Sequence, residues 1–132
     1  MSLTITNPAD LHDPVGFGYS HVVAARPSEI VHIAGQYGSD AQGGVVAEDF
    51  ATQVETAFTH LGTALEAVGL DFSHVVRLGT YIVDHDTDKL EALVGPIRKI
   101  WGDRPPAQTL IGVASLALPG MLFEVDAVAV RP

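Results

Sequence analysis

The sequence predicts an α+β domain in which two helices cover one face of a single sheet. Three features predict it: runs rich in β-branched and aromatic residues, two stretches whose apolar residues recur every three or four positions, and their order of strands, helix, strand, helix, two strands. The 132 residues, 47% of them apolar, suffice for one buried core, so residues 1–132 are read as one domain.

The first segment is a loop rich in turn formers, with Asn7-Pro8, Asp13-Pro14, Gly16 and Gly18. Tyr19 to Ala25 then alternates loosely, and Glu29 to Tyr37 reads EIVHIAGQY; two strands joined by the Arg26-Pro27-Ser28 turn fit these residues. A polar loop with glycines, Gly38 to Gly44, follows.

From Ala47 to Val68 the apolar residues Phe50, Val54, Ala57, Phe58, Leu61, Leu65 and Val68 define one buried helical face, with Glu48, Asp49 and Gln53 among the polar residues between them. Early acids suit the positive end of a helix, and Gly69 stands where a left-handed terminating residue is expected. Val75 to Val83 has the composition of a central strand. A second helical pattern carries Leu90, Leu93, Val94, Ile97, Ile100 and Trp101; Gly95-Pro96 lies inside it, so this helix is either kinked or restarts at Pro96. After the stiff Arg104-Pro105-Pro106 turn, AQTLIGVASLAL and MLFEVDAVAV, divided at Pro119-Gly120, predict a closing β-hairpin. The strands at Val75–Val83 and Met121–Val130 are apolar at nearly every position, more than a sheet with one wet face needs, which predicts self-association through the sheet.

Sixteen acidic and seven basic residues give a formal charge of −9, and the basic residues never form a run. Nucleic acid is an unfavoured partner, because polyanion binding depends on clustered cations. The absence of cysteine excludes disulfides and thiolate metal sites. No stretch of about 18 apolar residues is present, and the N-terminal residues lack the pattern of a signal peptide; no membrane partner and a cytoplasmic location are expected.

GYSH at Tyr19, IAGQ at Gly35-Gln36, AVGLDFSHVVRLGTYIVD, RPPAQT and FEVDAVAV at Glu124 occur in an order and spacing that resembles the Rid (YjgF-like, reactive-intermediate deaminase) family, from Gly16 to Val130. The resemblance implies a chorismate-mutase-like α+β domain, one mixed sheet with two helices on one face, assembled as a homotrimer with clefts between subunits. In the deaminase branch water adds to the imine carbon of 2-imino acids, releasing ammonia and leaving a 2-oxo acid. The resemblance also implies that Tyr19 lines the cleft and that Glu124 helps hold the water.

One position departs from that pattern. The arginine that grips the substrate carboxylate in the deaminases is Gln108 here. A glutamine amide carries no charge and cannot form the two-point fork, so carboxylate affinity should fall about tenfold or more. Ala34 stands where a small hydroxyl residue is frequent, and Leu110 where cysteine is frequent, making the pocket more apolar. Arg104, two prolines upstream, is one candidate substitute for the missing charge, and His21, two residues after Tyr19, is a candidate cleft acid or base.

Each candidate has a plainer alternative. Glu124 shares a strand face with Asp126 and fits equally an ion-paired surface carboxylate; Tyr19 fits an aromatic on the sheet surface. Gly35-Gln36 offers close backbone approach to a ligand, or a strand end with unusual dihedrals. Asp84, Asp86 and Asp88 have the opening spacing of a calcium loop, but Lys89 and Gly95 occupy the positions needing glycine and glutamate, and helix N-terminal acids explain them better. The six histidines form no metal motif and no nucleotide-binding glycine pattern exists, so no cofactor is expected. The expected function is therefore a Rid-like protein binding a small metabolite in an intersubunit cleft, with possible hydrolysis of an imine or enamine assisted by Glu124; the alternative is a non-catalytic ligand-binding or regulatory trimer. A ribonuclease role is disfavoured by the dispersed cations.

Overall fold

The computed structural model describes residues 3–132. A short ribbon pairs β1 (Thr4–Thr6) with β2 (Val22–Ala24). The main sheet contains β3 (Glu29–Gln36), β4 (Val75–Val83), β5 (Ala107–Val113) and β6 (Phe123–Arg131), in the order β3-β6-β4-β5. It is mixed: β6 runs antiparallel to both neighbours, while β4 and β5 are parallel. Helices α1 (Phe50–Ala67) and α2 (Thr87–Trp101) pack on one face.

Alternation divides the sheet cleanly. Phe123, Val125, Ala127 and Ala129 of β6 and Leu78 and Ile82 of β4 are buried beneath the helices with Val54, Phe58, Leu61, Leu65, Leu93 and Ile97. The opposite face carries Arg77, Tyr81, Glu124 and Asp126, with Ile30 57% and Ile111 45% exposed at its two edge strands. The middle of this face is therefore polar, and its exposed apolar side chains stand at the edges.

Local chemistry fixes the helix ends. Asp49 caps α1 by accepting from the Thr52 amide at 3.0 Å, and Asp86 caps α2 through the Lys89 amide at 2.9 Å. Asp86 thus acts as a helix cap, as the reading against a calcium loop requires. Gly69 has φ of 75°, the left-handed conformation expected after α1.

Several expectations need correction. The closing hairpin does not exist: β5 and β6 are separated by β4, and β5 joins β4 through the α2 crossover as a parallel neighbour. The Arg26-Pro27-Ser28 turn does join two strands, β2 and β3, but they belong to different sheets, since β2 pairs with β1, a strand not expected from the sequence. Of the two alternatives for Pro96, the restart is excluded, because α2 runs unbroken from Thr87 to Trp101 with Pro96 inside it. Val68, counted on the buried face of α1, is the 40%-exposed C-cap, whereas Gln53 is wholly buried.

Candidate functional site

The first cluster forms where the loop before β2 folds over α2 and the edge strand β5. A 3-10 turn at Val15–Phe17 ends at Gly18, whose φ of 86° turns the chain so that it packs on Val94 and Ile97 without a side chain of its own. Tyr19, Gln108 and Leu110 thereby meet Phe17, Leu90 and Leu93 around a cavity of about 450 Å³. No lysine or arginine lines it.

Gln108 is pinned in this cavity from two sides. Its Nε2 donates to the Gly18 carbonyl at 3.1 Å, and its Oε1 accepts from the Thr80 hydroxyl at 3.0 Å. The side chain at the position where the resemblance implies arginine therefore ties the loop to β4 and keeps only one amide hydrogen free. Beside it, the Tyr19 hydroxyl is hydrogen-bonded to His12 Nε2, and His21 Nε2 donates to the His12 carbonyl at 2.9 Å. The rings of His12, Tyr19 and His21 meet edge to face, with centroids 4.9 to 6.0 Å apart. His21 thus buttresses the cluster through the His12 backbone.

The second cluster lies on the other face of the sheet. Glu124 sits opposite Tyr81 across the β6–β4 pair, and its side chain lies over Gly35, where a Cβ would stand 2.5 Å from the carboxyl carbon. Gly35 has an ordinary negative φ, so close approach rather than unusual dihedrals is what requires glycine. The β3–β6 register also shifts between Ile33 and Gln36, a bulge that brings Gly35 to this position. Gln36 Nε2 donates back to the Ala34 carbonyl at 3.1 Å, and Ala34 is exposed.

Asp126 is held by the Gly79 amide at 3.1 Å and the Tyr81 hydroxyl at 2.9 Å. Burial first, then the Asp126 charge, raises the Glu124 carboxyl above the ordinary range. The hydrogen bond to Asp126, followed by burial, raises the Tyr81 hydroxyl. The Glu124 carboxylate has no hydrogen-bond partner among the described residues, which leaves both oxygens available to water or ligand.

Sequence reasoning named Tyr19, Gln108, Leu110, Ala34, Gly35, Gln36 and Glu124, and the fold sorts them into these two clusters. It missed His12, Tyr81 and Asp126. Asp126 was visible two residues beyond Glu124 on the same strand face, whereas His12 lies in a loop with no periodicity to place it. Arg104 enters neither cluster; its Nη2 donates to the Leu3 carbonyl at 3.4 Å, beyond the turn at Pro105-Pro106. Among the described residues no group of three or more His, Asp or Glu side chains is placed to hold a metal ion.

The family signature described as endoribonuclease L-PSP matches residues 12–131. The chain belongs to the Rid (YjgF-like) family. Its structure superimposes on that of YyfB, a Rid-family protein of unknown function from Yersinia pestis, with a TM-score of 0.93 and 36% identity over 98% of this chain and 99% of the other. Among curated Rid relatives, the protein DfrA of Myxococcus xanthus is 32% identical over 85% of this chain and 84% of its own length. The 2-iminobutanoate/2-iminopropanoate deaminase of Bos taurus is 29% identical over 89% of this chain and 84% of its own length.

Proposed function

We propose that this Rid protein binds a small imine or enamine lacking a carboxylate, in a cleft completed by two subunits of a homotrimer, and hydrolyses it with Glu124 as the proton-transferring group. The single observation that carries the reading is the division of the site. Tyr19 and Gln108 lie on the helix side of the sheet and Glu124 with Gly35 on the bare side, so one ligand reaches both only where the bare face of one subunit meets the edge of another.

The chemistry follows from the groups present. Glu124 takes a proton from water as its oxygen adds to the carbon of C=N, and a proton is delivered to the nitrogen. Glu124 then takes the remaining hydroxyl proton and passes it to the leaving nitrogen as the carbon–nitrogen bond breaks, so that ammonia departs and a carbonyl is left. A carboxyl group raised towards working pH suits both accepting and returning that proton. Tyr19, oriented by His12, supplies a hydroxyl to the substrate, while Phe17, Leu90 and Leu110 accept its apolar body. No lysine or arginine lines the Tyr19–Gln108 half of the site, and the Gln108 amide is already engaged.

The test is ammonia release from paired substrates, 2-iminopropionate and N-unsubstituted acyclic imines without a carboxylate. Wild type should accelerate the uncharged imines and leave 2-iminopropionate near its spontaneous rate; Glu124→Gln should abolish the acceleration. Gln108→Arg should raise activity on 2-iminopropionate by about tenfold, the worth of a charged over a neutral hydrogen bond. Strong wild-type activity on 2-iminopropionate would show that another group clamps the carboxylate. Spontaneous rates throughout would favour the second reading, a ligand-binding trimer without turnover, which the internal engagement of both polar atoms of Gln108 also supports.

A further inference from the structure

A second cavity, of about 370 Å³, shares no lining residue with the Tyr19–Gln108 cavity. The β1–β2 ribbon roofs it with Ile5 and Val23, the end of α2 contributes Ile100 and Trp101, and Arg104 and His74 stand at its wall. Its volume is at the lower end of metabolite pockets, roughly 300–1,000 Å³.

Charge distinguishes this recess from the rest of the molecule. The chain has 16 acidic residues, yet none lines the cavity, and its one permanent charge is the Arg104 guanidinium. Arg104 has no carboxylate within 4.0 Å among the described residues and makes one long bond, to the Leu3 carbonyl. A guanidinium has five donors in a planar fork, so nearly all of its bonding capacity is free for a planar anion. His74 spends Nδ1 on the Asp71 amide at 3.0 Å, and Nε2 has no partner among the described residues. The Trp101 indole is fixed, since its Nε1 donates to the Phe72 carbonyl at 2.8 Å and its ring stacks edge-on against Phe72 and Phe58. Arg104 is exposed at the mouth of a partly polar recess, and the apolar part of the wall, Trp101 with Ile100 and Ile5, lies in the same recess; an organic anion can use both where an inorganic one uses only the fork.

We propose that this recess is a second binding site, separate from the cleft, for a small carboxylate with an apolar body, gripped by Arg104 and packed on Trp101, Ile100 and Ile5.

Trp101 is the chain's single tryptophan, so intrinsic fluorescence reports on this cavity and needs no turnover. The intact chain would be titrated with cyclohexanecarboxylate, its neutral amide and inorganic phosphate. The carboxylate should give a saturable change that weakens about tenfold or more in Arg104→Gln, with Arg104→Lys intermediate. The amide and phosphate should bind much more weakly, and Tyr19→Phe should leave the titration unchanged. Arg104→Lys keeps the comparison decisive if Arg104→Gln fails to fold, as judged by circular dichroism. An absence of saturation in wild type, equal affinity in the Arg104 variants, or loss of the signal in Tyr19→Phe would overturn the site. Equal affinity for phosphate would overturn the apolar-bodied ligand class.

Discussion

At Glu124, folding and ionisation oppose each other. Burial and the neighbouring Asp126 charge raise its carboxyl above the ordinary 4.5, so the folded chain holds this proton more tightly than the unfolded chain does. The group's favourable contribution is full below the unfolded value and is lost as pH rises through the raised folded value. Glu124→Gln should therefore unfold at higher urea than wild type near about pH 7.5, and the two midpoints should converge below about pH 4. An equal difference at both pH values would contradict the raised carboxyl. Gly35→Ala probes the same group differently: the new Cβ would meet the flexible end of Glu124, so folding should survive while hydrolysis falls with the displaced carboxylate. Gln53 is a separate case, because burial is complete. It donates to the Ala47 and Gly120 carbonyls and accepts from the Leu122 amide, each at 2.8 Å, and thereby fastens α1 to the turn before β6. Gln53→Ala strands those backbone groups and should cost about 3 kcal/mol in urea unfolding; a loss under about 1 kcal/mol would mean that water replaces the amide.

Elements were legible in the sequence where a local rule decides them. Helix α1 shows its period, its early acids and its terminating Gly69, and β6 shows Glu124 and Asp126 alternating with buried Phe123, Val125 and Ala127. Strand pairing was not legible. Pro119-Gly120 looks like a hairpin turn, but whether β6 pairs with β5 or inserts between β3 and β4 depends on which edges are free after α2 has crossed the sheet. Gln53 was misread for a related reason: its polarity suits water, and only the arrival of the Gly120 turn supplies partners that make burial tolerable. The loop of Tyr19 also depends on a distant element. Buried Ser20 donates its hydroxyl to the Pro105 carbonyl, and its amide donates to the Pro106 carbonyl at 3.1 Å, so the loop is latched to the start of β5. Ser20→Ala should cost about 1–3 kcal/mol and raise KM more than it lowers kcat, since Tyr19 would be less well held while Glu124 is untouched. Unchanged KM with reduced kcat would place Tyr19 in the proton transfer rather than in binding.

For the whole molecule, the two faces of the sheet impose a test that single variants cannot provide. Gln108 and Glu124 were both readable as site residues, but the sequence alone did not show that they project from opposite faces; that follows from the register placing Gln108 beside Leu78 on β4 and Glu124 beside Tyr81. In the proposed trimer, each cleft would take Tyr19 from one chain and Glu124 from another. Assayed well below KM, chains carrying Tyr19→Phe should lose most of their hydrolysis, and chains carrying Glu124→Gln all of it, when each is assembled alone. Unfolded together in equal amounts and refolded, they would form mixed trimers in which about one cleft in four combines the intact half of each chain. Activity should then recover to about a quarter of wild type, a fraction set by mixing statistics whatever the substrate. Recovery requires that the clefts work independently, and dilution of the mixture with excess Tyr19→Phe chain should lower it along the product of the two chain fractions. Refolded mixtures of confirmed mixed composition that stay inactive would place both halves of the site within one subunit's reach, and the face-to-edge assembly would have to be abandoned.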